Sequence, residues 1–167
     1  MKDFFCKLLF LTMITMPVMA QNDTTGINQY DNQDRRTGKW ELYYENGNLK
    51  ETGEYKNGQK TGLWKSYYEN GTIKHEITYQ NGIAKGPARF YYRDGTIWEE
   101  GYWNEYHWKG DYSLYHGNGK KAYEWHYNES GKRSGEQKYF HPNGEVKYSG
   151  KWENGEVVGE IKVFDEK

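Results

Sequence analysis

From Gly38 onward, ring side chains alternate with charged or small polar ones in short bursts, and each burst ends at an Asn-Gly or Asp-Gly pair. The segment GKWELYYENGNLKETGEYKNGQKT, Gly38 to Thr61, shows the pattern in full. Alternation with a period of two marks half-buried strands. Asn-Gly between such strands marks a type I′ hairpin turn, because both central residues there need positive φ. The glycines Gly38, Gly62, Gly86, Gly110, Gly135 and Gly159 recur at intervals of 24, 24, 24, 25 and 24 residues. After the first five of them comes a first turn: Asn46-Gly47, Asn70-Gly71, Asp94-Gly95, Asn118-Gly119 and Asn143-Gly144. A second turn follows at Asn57-Gly58, Asn81-Gly82 and Asn154-Gly155. Two turns per copy mean two short antiparallel strands per copy.

A two-residue first turn pairs Trp40 with Gly53, Trp64 with Ile77, Tyr112 with Trp125 and Gln137 with Gly150. The same rule at the second turn pairs Gly62 with Gly53 and Trp64 with Glu51. Both turns then place one residue set on a single face. That set holds Trp40, Leu42, Tyr44, Leu49, Tyr55, Trp64, Tyr68, Ile73 and Tyr79, and continues through Phe90, Ile97 and Trp103 to Tyr139, Val146, Tyr148 and Trp152. The other face is Lys, Glu, Thr and Ser, crossed by one stripe: Tyr43, Tyr67, Tyr91, Tyr115, Phe140 and Phe164. The 25-residue interval comes from YNESGKRSG, Tyr127 to Gly135, where one extra residue sits in a three-residue loop with Gly131 left-handed.

The expected fold is all-β, an extended single-layer antiparallel meander of tandem 24-residue hairpin repeats. A half-repeat spans 28–37, full repeats span 38–61, 62–85, 86–109, 110–134 and 135–158, and a half-repeat spans 159–167. Atypical end units are what a capped array needs. Ahead of the array, residues 1–20 read as a signal peptide: MKDFFCK, then LLFLTMITMPVM, with Val18 and Ala20 at the −3 and −1 positions. Residues 21–27 read as a short flexible segment. The apolar run is shorter than the roughly 20 residues of a membrane-spanning helix. Cleavage near Ala20 would export the chain to the periplasm or the medium. Gln21 follows that site, so a lipoprotein is not expected, and Cys6 would leave with the leader. An exported chain without cysteine has no disulfide and no thiol chemistry.

Composition sharpens this. The chain is 35% hydrophobic but 18% aromatic, with 17 Tyr, 7 Trp and 20 Gly. Such a sheet is held by amphipathic rings rather than by an aliphatic core. The formal net charge is −1, and removal of Lys2, Asp3 and Lys7 (together +1) leaves −2. Lys and Glu are interspersed, so the basic stripe that nucleic acid demands is missing, and anionic membrane surfaces are not favoured either.

The segment GKWELYYENGNLKETGEYKNGQKTGLWKSYYENG strongly resembles the bacterial variant of the MORN repeat, with the pattern G-x-W-x-x-Y-Y-x-N-G followed by Y-x-N-G. The resemblance runs from about Asn28 to Lys167. Copy three departs from it at Ala88 and Glu105-Tyr106, and copy five at Gln137. It implies an extended β scaffold with protein or lipid partners. Some bacterial relatives carry an antitoxin label, which fits an exported chain poorly.

Candidate chemistry is sparse. His116 and His141 occupy the position that is Tyr44, Tyr68 and Tyr92 elsewhere. Two strand spacings, about 10 Å, separate them, too far to share a metal. Glu99-Glu100 and Asp165-Glu166 alternate faces and cannot work on one substrate. A cross-strand pair such as Glu51 with Glu76 stays open. No phosphate loop is present, because the glycines belong to hairpins. No enzyme, cofactor or metal site is expected. The candidate binding residues are the stripe Tyr43, Tyr67, Tyr91, Tyr115 and Phe140, together with Trp98, Trp103 and Trp108 of copy three. A protein partner is expected, with a glycan as the alternative, and open edges near Asn28 and Lys162 leave room for a homodimer.

Overall fold

The computed structural model describes residues 26–165. The expected signal peptide lies outside them, as does most of the 21–27 segment. Within the described residues there is no helix. Twelve strands form one antiparallel sheet in strict chain order. They are β1 (Gln29–Tyr30), β2 (Arg36–Tyr43), β3 (Leu49–Lys56), β4 (Gln59–Tyr67), β5 (Ile73–Gln80) and β6 (Ile83–Tyr91). Then come β7 (Ile97–Asn104), β8 (His107–Tyr115), β9 (Lys121–Tyr127), β10 (Gly135–Phe140), β11 (Val146–Glu153) and β12 (Glu156–Val163). Every strand pairs only with its chain neighbours, so each copy is bonded solely to the copies beside it.

The first-turn register is the expected one, but the turn is not. Trp40 faces Gly53, Trp64 faces Ile77, Tyr112 faces Trp125 and Gln137 faces Gly150. Yet only the glycine of each first turn has positive φ, from +80° at Gly119 to +92° at Gly144. The Gly47 N–H donates to the Tyr44 carbonyl at 3.0 Å, and the Tyr44 N–H to the Asn48 carbonyl at 2.9 Å. This is a three-residue loop with a left-handed glycine, not a type I′ turn. The Asn46 side chain explains the choice, since its Oδ1 accepts the Asn48 N–H at 3.0 Å and closes an Asx turn. The register survives because Lys50 is extruded as a bulge between the pairs Tyr43–Leu49 and Leu42–Glu51.

The second turns are type I′, with Asn57 at +53° and Gly58 at +80°. Here the expected register fails halfway. Glu54 faces Thr61 as expected, but Thr52 faces Lys65 and Glu51 faces Ser66, two residues beyond the forecast. The slip falls at Gly62 (φ +65°), and the equivalent Gly38, Gly86, Gly110, Gly135 and Gly159 also have positive φ. The glycine that opens each copy therefore makes a bulge. An even slip leaves side-chain parity intact, so most of the face assignment survives.

One part of it does not. Directly opposed residues share a face, and Leu49, Ile73, Ile97 and Val146 oppose Tyr43, Tyr67, Tyr91 and Phe140. The Lys50-type bulge moves these aliphatics away from the tryptophans and onto the stripe face.

The core is the opposite, tryptophan face, where Trp40, Trp64, Tyr112, Tyr139 and Trp152 are buried. Among the described residues no second layer covers them. Instead Tyr30, Trp40, Tyr55, Trp64 and Tyr79 meet edge to face in succession, centroids 5.0–6.4 Å apart. Cations cap the row: the Arg36 guanidinium lies 4.7 Å from the Trp40 ring and Lys60 Nζ 3.9 Å from that of Trp64. Each ring pair contributes about 0.5–1.5 kcal/mol beyond its area. The Trp64 ring also lies on Gly53, where a Cβ would fall 2.3 Å from it.

Candidate functional site

The structure gathers Tyr43, Tyr67, Tyr91, Tyr115 and Phe140 at one end of the sheet, one per copy on β2, β4, β6, β8 and β10. Between them stand Leu49, Ile73, Ile97 and Val146, which alternation alone had placed on the wrong face. Lys121 breaks the aliphatic series, facing Tyr115 and binding Glu124 at 2.7 Å. Tyr43 is 55% exposed, and the middle members are half-buried by their neighbours.

Several of these rings are fixed by their hydroxyls. The Tyr91 O–H donates to Glu76 at 2.7 Å and that of Tyr115 to Glu100 at 2.5 Å, while Tyr43 donates to Glu41. Glu76 also takes Lys65 Nζ at 2.9 Å, and Glu100 takes Arg89 at 2.6 Å. Burial works to raise the Glu76 carboxyl, but hydrogen bonds from Lys65 and Tyr91 outweigh it and hold it below the usual range. Glu100 behaves alike, with Tyr115 and Arg89 as donors. Burial and the Glu76 bond push the Tyr91 phenol up, so it stays a donor.

Trp98, Trp103 and Trp108 lie on the tryptophan face, apart from the stripe. Trp103 and Trp108 oppose each other, rings perpendicular at 5.0 Å. Trp98 is the bulge residue of its copy and lies against Phe90 and Tyr92, at 6.4 and 6.3 Å. The candidate set thus divides between two faces and does not form one site.

At the first-turn end runs a ladder that the sequence reading missed. The Tyr44 O–H donates to the Tyr67 carbonyl at 2.7 Å and the Tyr68 O–H to that of Tyr91 at 2.8 Å. Tyr92 reaches the Tyr115 carbonyl at 3.2 Å, and His116 Nε2 that of Phe140 at 3.1 Å. The ladder crosses from each copy to the next. Its trace in the sequence was the interchange of Tyr and His at one repeat position, two side chains sharing little except a ring that carries a donor.

The mid-sheet carboxylates Glu51, Glu76, Glu99 and Glu100 are engaged in this framework. Glu51 takes Lys60 Nζ at 2.6 Å, and Glu99 accepts the Tyr112 O–H at 2.6 Å. Glu51 faces Ser66 while Glu76 faces Lys65, adjacent residues of β4, so the pair left open by the sequence points to opposite faces. Among the described residues no group of three or more His, Cys, Asp or Glu is arranged to hold a metal ion.

The family model described as MORN repeat variant matches residues 36–57, 60–81, 85–105 and 133–154. This chain belongs to the MORN repeat variant family. The matched stretches leave out 106–132, the copy in which Tyr112 replaces the tryptophan. A search of curated proteins finds no match. One solved structure that matches is a mutant of S. aureus TarM in complex with Fondaparinux, alpha-GlcNAc-glycerol and UDP. Its identity is 15% and its TM-score 0.37, over 57% of this chain and 19% of that one. The chain thus spans about a fifth of that protein's length, and a likeness at this level carries no argument about the repeat array.

Proposed function

We propose that this MORN-repeat chain is a non-enzymatic scaffold, exported to the periplasm or the medium, that docks a protein partner along the stripe from Tyr43 to Tyr115. The observation that carries this reading is the alternation of ring and aliphatic along that row, Tyr43–Leu49, Tyr67–Ile73 and Tyr91–Ile97. Ring and aliphatic anchors between charged flanks are how interfaces concentrate their energy. Rings already fixed by Glu76 and Glu100 lose little side-chain freedom on binding. The non-enzymatic part rests on Glu51, Glu76, Glu99 and Glu100, whose hydrogen bonds go to the sheet's own tyrosines, lysines and Arg89.

The test is a comparison of wild type with a Leu49→Thr, Ile73→Thr, Ile97→Thr variant, which keeps β propensity and removes only the aliphatic partners. Partners captured from envelope extract by wild type should be lost to a variant of unchanged circular dichroism. Equal capture by the folded variant would sink the reading.

A further inference from the structure

At the first-turn end of the tryptophan face each copy extrudes one bulge residue, which lies over a ring in copies one to three and is Lys147 in copy five, between the pairs Tyr139–Tyr148 and Phe140–Val146. Lys50 Nζ lies 5.5 Å from the Tyr44 ring and Lys74 Nζ 5.9 Å from that of Tyr68. In copy three the Trp98 ring does the same at 6.3 Å from Tyr92. In copy four the extruded residue is Ala122, between the pairs Leu114–Tyr123 and Tyr115–Lys121, and it is 3% exposed. A methyl group has no length to roof His116. Beside it opens a cleft of about 300 Å³ lined by His116, Tyr123, Tyr139, His141, Lys147 and Tyr148. That volume sits at the lower end of small-molecule sites, which begin at about 300 Å³.

The lining has a definite chemistry. Tyr123 stacks on Trp125 at 4.7 Å and 6°, and Tyr148 on Tyr139 at 3.9 Å and 22°, so the rings are held in place before any ligand arrives. Lys147 is exposed, and among the described residues it makes no ion pair and no carboxylate lines the cleft. His116 Nε2–H donates to the Phe140 carbonyl at 3.1 Å, an arrangement in which the neutral imidazole presents Nδ1 as an acceptor. The ligand must therefore bring an apolar face for the tyrosines, an anionic group for Lys147 and a donor for His116. A free phosphate lacks the apolar face, an unsubstituted aromatic acid lacks the donor, and a neutral sugar lacks the anion.

We propose that this cleft binds an acidic sugar unit, a pyranose ring carrying one carboxylate, with its C–H face on the tyrosine rings, its carboxylate at Lys147 and a hydroxyl donating to His116. The cleft takes in Phe140 at the end of the stripe but none of Tyr43, Tyr67, Tyr91 or Tyr115, so either proposal can fail without the other.

The test titrates the purified protein with glucuronate and with a glucuronate-bearing disaccharide, against glucose and the matched neutral disaccharide. Heat of binding gives affinity, and the NMR signal of the Trp125 indole N–H, stacked on Tyr123, reports the place. The acidic sugars should bind at least about tenfold more tightly than the neutral ones, the share of one charge-assisted bond. Ala122→Lys puts the residue of copies one and two at this buried position; it should abolish binding while its circular dichroism stays that of wild type, at some loss of thermal stability. Lys147→Met should weaken the acidic sugars about tenfold and leave the neutral ones unmoved. Lack of binding to wild type, equal affinity for the neutral sugars, or wild-type affinity in either variant would overturn the proposal.

Discussion

The first two copies and the last three build the same layer from different side chains. In the former a tryptophan at the third repeat position does the work, Trp40 and then Trp64, and the Trp64 ring rests on Gly53. In copy three that position is Ala88, yet the glycine equivalent to Gly53, Gly101, is still covered, by Trp108 from the repeat position that Lys60 fills earlier. In copy five the position is Gln137, fully buried, and Trp152 lies on Gly150. The requirement is therefore an indole over a side-chain-free backbone in alternate copies, whichever strand supplies it. A thin sheet has no second layer to exclude water, so the ring must lie flat on its own backbone.

That comparison breaks most sharply at the glycines. A Cβ at Gly53 would lie 2.3 Å from Trp64 Cδ2, within the ring, whereas one at Gly101 would lie 3.0 Å from Trp108 Cε3. Gly53→Ala should cost about 3 kcal/mol, the upper range for overpacking, because the indole cannot leave without exposing itself. Gly101→Ala should cost about 1 kcal/mol. Urea unfolding of the two variants decides it, and equal losses would mean that the two halves are packed alike.

Next comes Gln137. Its Nε2 donates to the carbonyls of His126 at 3.1 Å and Ser134 at 2.9 Å, and its Oε1 accepts the His126 N–H at 3.2 Å. The amide fills its tryptophan-row position and stitches the β9 edge where the three-residue loop ends. Gln137→Leu should cost about 2–3 kcal/mol, since buried backbone groups lose their partners. Gln137→Trp, the residue of copies one and two, should be no better. Recovery by Trp would show that the position wants volume alone.

These cases mark how far the sequence could be read. Strand number, order and first-turn pairing followed from Asn-Gly spacing and alternation, which mark where each strand turns back, whereas the second-turn pairing slipped at the bulge of the opening glycine. The loop type did not, since an Asx bond and a compensating bulge reproduce the same pairing. The bulges then hid the true company of the stripe. Leu49, Ile73, Ile97 and Val146 look core-facing to any argument from period two, and only the extra residue beside each turns them over. The binding cleft was illegible for a related reason. Ala122 is an ordinary small residue until its equivalents, Lys50, Lys74 and Trp98, are seen to act as roofs.

The ladder offers a milder contrast. Tyr68→Phe deletes one hydrogen bond to the Tyr91 carbonyl and should cost about 1 kcal/mol. His116→Tyr exchanges one donor for the other and should stay within about 0.5 kcal/mol, because the bond to Phe140 is re-made. Thermal unfolding of both separates a ladder that reads the donor from one that reads the ring.

The smallest effect is confined to acid. Glu51, His75, Glu99, Tyr123 and Tyr148 hold one repeat position, and His75 is the imidazole among them. It is half-buried against Phe90, ring centroids 5.7 Å apart. Burial, then the charge of Lys74, pushes its imidazole below the ordinary 6.5, with Lys60 adding to the shift and Glu51 opposing it. With the folded value depressed, the unfolded chain takes up the proton first. Stability should then be undiminished above 6.5 and fall as the pH drops from there toward the folded value. Replacing His75 by Gln removes this loss while leaving neutral-pH stability nearly unchanged. Unfolding midpoints of wild type and variant should therefore diverge only on the acid side, and parallel curves from pH 8 down to about 5 would assign the acid sensitivity to the carboxylates instead.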